Sequence, residues 1–261
     1  MKKRTIFLIA LVIFFPLNNL PSFAGDAAEN MVANLPVSSL FDLGSETASS
    51  GNNSIQEYIN CFSMISADAM KAALSGYAEL NNMGKIMKKD IITVIDFSKP
   101  STVERLFVIN LKTKKIIEKS LCAHGRNSGE IFANKFSNAP ESNASSLGFY
   151  ITSETYDGKH GYSLKLDGQE AGFNDKARDR GVVMHAADYV SKAFIQATGR
   201  LGRSQGCPAV PTDQYEKIIS LIKGGSCLFI YSPDKYYSSH SPILKHYSES
   251  CLAEVVSEFS R

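Results

Sequence analysis

The chain has 261 residues, about one and a half times a typical domain, which suits one domain with terminal extensions. Its formal charge is +2, and Lys2, Lys3 and Arg4 lie without acids in a segment expected to be removed, which would leave −1. So even a balance gives no electrostatic case for binding nucleic acid or an anionic membrane.

Met1-Lys2-Lys3-Arg4, the apolar run from Ile6 to Phe15, and the small residues Ser22 and Ala24 before Gly25 read as a secretory signal peptide over 1–24. The apolar run is too short to span a bilayer. No cysteine follows the expected cut to carry a lipid. The mature chain is therefore expected in the periplasm or secreted, with no integral membrane anchor.

Residues 25–54, rich in Ser, Asn, Gly and Ala, read as a flexible lead-in. Over 55–90, the residues Ile55, Tyr58, Ile59, Phe62, Ile65 and Ala69 recur at helical spacing. This predicts two helices broken near Ser75-Gly76 and packed on a sheet, with Cys61 in the core. Residues 91–232 follow as a sheet-rich domain. Strands are expected at 91–97, 105–111, 115–122, 148–155, 162–166, 182–185 and 227–231, from short runs of β-branched and aromatic residues. Asn110 to Lys114 reads as a hairpin connection, and helices are expected at 189–197 and 212–221, the second capped by Thr212. In the extension 233–261, the Ser/Tyr/His-rich stretch 236–250 has no clear pattern, and 251–259 reads as a short closing helix. Many strands without βαβ alternation, and no glycine-rich phosphate loop, point to a sheet-rich α+β fold rather than a doubly wound nucleotide-binding one.

Five cysteines remain after residue 25: Cys61, Cys122, Cys207, Cys227 and Cys251. In an oxidising compartment the odd count leaves at least one thiol unpaired. The pairing of Cys61, Cys122, Cys227 and Cys251 stays open.

Cys207 is the candidate nucleophile. It follows glycine in Ser204-Gln205-Gly206-Cys207-Pro208, near Arg200 and Arg203. Positive charge and exposed N–H groups favour a thiolate there. Acyl transfer by a thiol also needs a base and N–H donors for the oxyanion. His185, at the end of an expected strand, is the candidate base, with its second ring nitrogen held by a backbone carbonyl or the Ser204 hydroxyl. The N–H groups of Gly206 and Cys207 are candidate oxyanion donors, with Ser204 and Gln205 in orienting positions. Arg203 and Arg200 could bind substrate carboxylates. His124 and His160, each before a glycine, could line the cleft. With Cys207 they offer no close ligand spacing such as H-x₃-H, so no metal is expected.

Several blocks together resemble the divergent second branch of the YkuD-type L,D-transpeptidases of bacterial cell-wall synthesis. They are Ser145 to Ile151 (SSLGFYI), Val183-Met184-His185 and Ser204-Gln205-Gly206-Cys207, joined by His124 to Gly129 (HGRNSG), Phe136-Ser137-Asn138 and Gly158 to Leu164 (GKHGYSL). The resemblance runs from about Ile91 to Tyr231. It implies an L,D-transpeptidase-like catalytic domain, a β-sandwich or mixed sheet with the N-terminal helical segment packed on it. It further implies that Cys207 forms a thioester with the third residue of a peptidoglycan tetrapeptide stem, releasing D-Ala. An acceptor amine would then give a 3–3 cross-link. Water as acceptor would make the enzyme an L,D-carboxypeptidase, or an endopeptidase if the bond cut is a 3–3 link. No cofactor is implied, and a monomer is expected.

The chain departs from the main family pattern at three places. Gln205 replaces a second histidine, Pro208-Ala209-Val210 replaces a segment carrying arginine, and Ala186 replaces a glycine. These departures bear on donor and acceptor preference. A non-catalytic wall-binding protein is the reading from another class, and the intact Cys207 and His185 argue against it. A papain-like protease fits poorly, because there the cysteine starts a long helix and precedes the histidine.

Overall fold

The computed structural model describes residues 53–259 apart from His160 and Tyr247. The expected signal peptide lies outside the described residues, as does the expected lead-in except for residues 53 and 54, which are already helical.

The β-branched runs form strands β1 (Ile91–Asp96), β2 (Leu106–Asn110), β3 (Lys115–Ser120), β4 (Gly148–Gly158), β5 (Gly161–Gly168), β6 (Val183–Ala186), β7 (Ala209–Val210) and β8 (Cys227–Tyr231). They make one mixed sheet in the order β3-β2-β1-β8-β4-β5-β6-β7. The pairs β1–β8 and β6–β7 are parallel; the rest are antiparallel. β1 and β8 lie mid-sheet and are buried almost throughout, which is why both read as continuous apolar runs without alternation.

Beyond β3 the chain continues through 121–125 and meets the opposite end of the sheet. Ala123 N–H donates to Ala209 O at 2.8 Å, and bridges join Ala123 to Ala209 and Gly125 to Ser204. The sheet thus closes nearly into a barrel, with residues 204–209 on its seam.

Among the described residues, six helices pack around the sheet: α1 (53–60), α2 (Ala67–Asn82), α3 (Lys192–Thr198), α4 (Tyr215–Ile222), α5 (Lys235–His240) and α6 (Glu249–Phe259). Buried residues of α1, α2 and α6, from Ile55 to Phe259, join the main hydrophobic core with the sheet. Among the described residues, no helix is long and apolar enough to cross a membrane.

Several expectations are corrected. The helix break falls at 61–65, not at Ser75-Gly76. Ser66 caps the second helix by accepting from Ala69 N–H at 3.3 Å. Helix α2 then runs unbroken through Gly76, where an added Cβ would sit 2.0 Å from the Phe149 ring. This glycine allows close helix–sheet approach rather than ending the helix. Cys61 is exposed rather than in the core. The cap position of α4 is Gln214 rather than Thr212, with no side-chain cap bond, and it follows a turn in which the N–H groups of Gln214 and Tyr215 both donate to Pro211 O. Helix α5 arises in the stretch without pattern. There Tyr237 and Ser241 hydroxyls donate to the buried Glu170 carboxylate, which also accepts from Phe149 N–H. Cys61, Cys122, Cys207 and Cys227 are free thiols.

The Gly76 contact sets an expected outcome. Gly76→Ala gains about 1 kcal/mol of helix propensity, but overpacking against Phe149 costs roughly 1–3 kcal/mol. Urea denaturation should therefore show a net loss, partly recovered by adding Phe149→Leu.

Candidate active site

Ser204 fastens the turn that leads into β7. Its N–H donates to His124 O at 2.9 Å, and its carbonyl accepts from Arg126 N–H at 2.8 Å. Its hydroxyl accepts from Gly206 N–H at 3.0 Å and donates to Cys207 O at 2.7 Å. Gly206 has φ +126°, and a Cβ there would come 2.8 Å from Ala144 O, so only glycine fits. The Gly206 carbonyl accepts from Ser145 Oγ at 3.2 Å. Gly206 N–H is thus held by Ser204, which differs from its expected place as an oxyanion donor. Ser204 braces the turn rather than orienting the imidazole.

β6 runs parallel beside β7, with His185 opposite Ala209. In that register Val183 stands beside Cys207, and Val183 N–H donates to Sγ at 3.5 Å. The thiol donates to Gly181 O at 3.6 Å. A carbonyl can only accept, so this contact suits a protonated sulfur. Burial raises the thiol pKa, and it outweighs the Val183 N–H and the Arg180 charge, which both lower it. The loop therefore does not hold a ready-made thiolate, contrary to the expectation from its arginines.

His185 is buried, and its Nδ1 lies 2.8 Å from Ala186 O. The carbonyl requires the proton on Nδ1, which leaves Nε2 as the basic nitrogen. His185 and Cys207 line one cleft of about 470 Å³, together with Arg126, Glu141, Lys159, Arg180, Tyr189, Arg203 and Gln205.

The other candidates are placed differently. Arg200 and Arg203 both pair with Glu130, at 2.9 and 2.6 Å. Arg203 also donates to the carbonyls of Arg126 and Gly129, each at 3.1 Å. Only Arg203 of the two lines the cleft. His124 is buried behind the seam. Its Nδ1 accepts from Arg105 Nη2 at 2.7 Å, and its Nε2–H donates to Gly129 O at 3.2 Å. His160 lies outside the described residues. Among those residues, no group of three His, Cys, Asp or Glu side chains is placed to hold a metal ion.

Residues 62–231 match the family model of the YkuD_2 L,D-transpeptidase catalytic domain. The chain belongs to the L,D-transpeptidase catalytic domain family. Among solved structures it is similar to an L,D-transpeptidase from Mycobacterium smegmatis, at 12% identity and TM-score 0.34, covering 55% of this chain and 59% of that one. An L,D-transpeptidase (Yku) from Stackebrandtia nassauensis gives 16%, 0.33, 57% and 59% in the same measures. The helical cell shape determining protein Pgp2 (K307A mutant) from Campylobacter jejuni gives 11%, 0.37, 73% and 63%. The chain thus spans about three fifths of the length of these structures. No curated protein matches the sequence.

In this L,D-transpeptidase-family domain, sequence reasoning missed Arg126, Glu141, Lys159, Tyr189 and Arg180 among the cleft residues, and Arg180 is the one most tightly built in. It donates to Ser137 O, Ser146 Oγ, Ser142 Oγ and Ala144 O at 2.8, 2.5, 3.1 and 2.8 Å. Its neighbourhood, Arg178-Asp179-Arg180, reads as a solvated charge run. Arg178 is indeed exposed and paired with Glu154 and Asp167. Nothing in the sequence separates the two arginines.

His124 sets a testable pH dependence. Burial, and then the Arg105 charge, lower its pKa from 6.5 to about 4. Between these values the unfolded chain binds the proton and the native one does not, so stability falls as pH drops. The full loss is about 3 kcal/mol. Urea denaturation from pH 7.5 to pH 4 should show it, and His124→Gln should flatten the slope while lowering stability at pH 7.5.

Proposed function

We propose that this domain is a cysteine-dependent acyltransferase acting on peptidoglycan stem peptides, an L,D-transpeptidase in activity as well as in family. The observation that carries the reading is the meeting of Cys207 and His185 in one cleft, on or beside adjacent parallel strands, with the basic nitrogen of His185 left at Nε2 by the Ala186 carbonyl. The cleft's lining is also electropositive, with Arg126, Lys159, Arg180 and Arg203 against Glu141. That balance suits a stem peptide that carries carboxylates.

In the proposed reaction, His185 Nε2 takes the Cys207 proton as Sγ attacks the carbonyl between the third stem residue and D-Ala. The N–H groups of Gln205 and Cys207 are the turn's remaining candidate donors for the oxyanion. The imidazolium returns the proton to the departing D-Ala amine, leaving a thioester. A second stem's amine attacks the thioester carbonyl and forms the 3–3 amide. Its proton passes through His185 back to Sγ. The reading of 1–24 as a signal peptide suits action at the wall.

The test is mass spectrometry of the mature protein incubated with disaccharide-tetrapeptides. A dimer lacking one D-Ala is expected, and Cys207→Ala should abolish it. His185→Gln should slow turnover by roughly 10²–10⁴-fold. D-Ala release without dimer would mean water is the acceptor and the enzyme an L,D-carboxypeptidase. Neither product nor a thioester on Cys207, from a folded sample, would sink the reading.

A further inference from the structure

The two arginines nearest Cys207 in sequence share the single carboxylate of Glu130, and Arg178 is neutralised by Glu154 and Asp167. Arg180 is different. It is half-buried behind the nucleophile turn, and a Cβ on Gly206 would come within 3.2 Å of its Nη2. Its Nη1 and Nη2 donate to four oxygens, all of them neutral: two carbonyls and two serine hydroxyls. Among the described residues, no carboxylate forms an ion pair with it. Neutral acceptors fix a guanidinium without cancelling its charge, whereas a carboxylate does both. With both terminal nitrogens engaged, Arg180 is poorly placed to grip a ligand carboxylate bidentately. What it offers the cleft is a fixed positive charge.

We propose that Arg180 is a positioning residue for the nucleophile: braced by Ser137, Ser142, Ala144 and Ser146, its uncompensated charge is the electrostatic partner that makes the Cys207 thiolate reachable. The proposal deepens the reading of Cys207 as nucleophile, on which it rests. The other groups around the thiol do not supply that charge. His185 is the proton acceptor, and burial raises the Tyr189 hydroxyl to about 12, so it stays neutral. Arg203 is paired with Glu130. Arg126, Lys159 and Glu141 are exposed at the cleft mouth, where solvent and salt screen them.

The test follows alkylation of Cys207 by iodoacetamide against pH, peptide by peptide in a mass spectrometer, with exposed Cys61 as internal reference. In Arg180→Gln the Cys207 midpoint should move up by about one pH unit, an approximately tenfold slower reaction near neutrality. Arg180→Lys keeps the charge but loses hydrogen bonds. Its midpoint should stay within a few tenths of a unit of the native one, while its melting temperature falls. Arg178→Gln should leave the midpoint unmoved. A folded Arg180→Gln with the native midpoint would overturn the proposal. So would a rise in Arg180→Lys matching that in Arg180→Gln. If Arg180→Gln does not fold, Arg180→Lys decides: a native midpoint supports the charge role, and a raised one overturns it. No stem peptide enters the assay, so a chain unable to cross-link would still return an answer.

Discussion

Closure of the sheet at 123–125 against 204–209 is the constraint on which the position of Cys207 depends. A two-residue strand such as β7 has little hold of its own. It is kept in place from both sides, by β6 through His185 and Ala209, and by the continuation of β3 through Ala123. Behind that continuation lies Arg105, fully buried over the Phe97 ring. Its guanidinium donates to Cys122 O, Lys99 O and His124 Nδ1. A buried charge is tolerable only when its donors are satisfied. His124 can accept from Arg105 only while neutral, so the lowered pKa of His124 and the anchoring of the seam are one interaction.

The turn that carries Cys207 inherits this rigidity. Ser204 bonds to both sides of the seam through its backbone and to the turn through its hydroxyl. The same enclosure that holds Cys207 also desolvates it and keeps its proton on. Two features work against that penalty within the cleft. One is a basic nitrogen whose tautomer is set by Ala186 O, and the other is a guanidinium whose partners leave its charge intact. In the reaction proposed above, the proton is therefore transferred at the moment of attack rather than lost beforehand to a stored thiolate.

Much of the fold was legible. Six of the seven expected strands have a β-branched core that survives at nearly the same bounds, and 227–231 is observed unchanged as β8. Pattern reasoning failed where a tertiary contact overrode a local signal. Gly76 looked like a breaker because glycine weakens helices, yet in α2 the missing side chain makes room for Phe149. Helix α5 has no apolar periodicity to reveal it, since it is anchored by hydroxyls on buried Glu170, a residue distant in sequence. The two residues of β7 are too few to carry any alternation.

The sequence by itself determined the chemical parts: a cysteine after glycine, a histidine ending a strand, and the blocks that mark the family. These are local facts of residue type and order. The tertiary structure decided which groups share the cleft and in what state. It set Cys207 beside Val183 through parallel register, engaged Gly206 N–H with Ser204, and removed His124 from the chemistry into a buried ion-dipole lattice. It also exchanged Arg200 for Arg180 at the cleft. The reason is electrostatic. What an arginine does to a thiol depends on its distance, its burial and the acid that does or does not compensate it. Glu130 and the four oxygens around Arg180 come from segments far from either arginine in the chain.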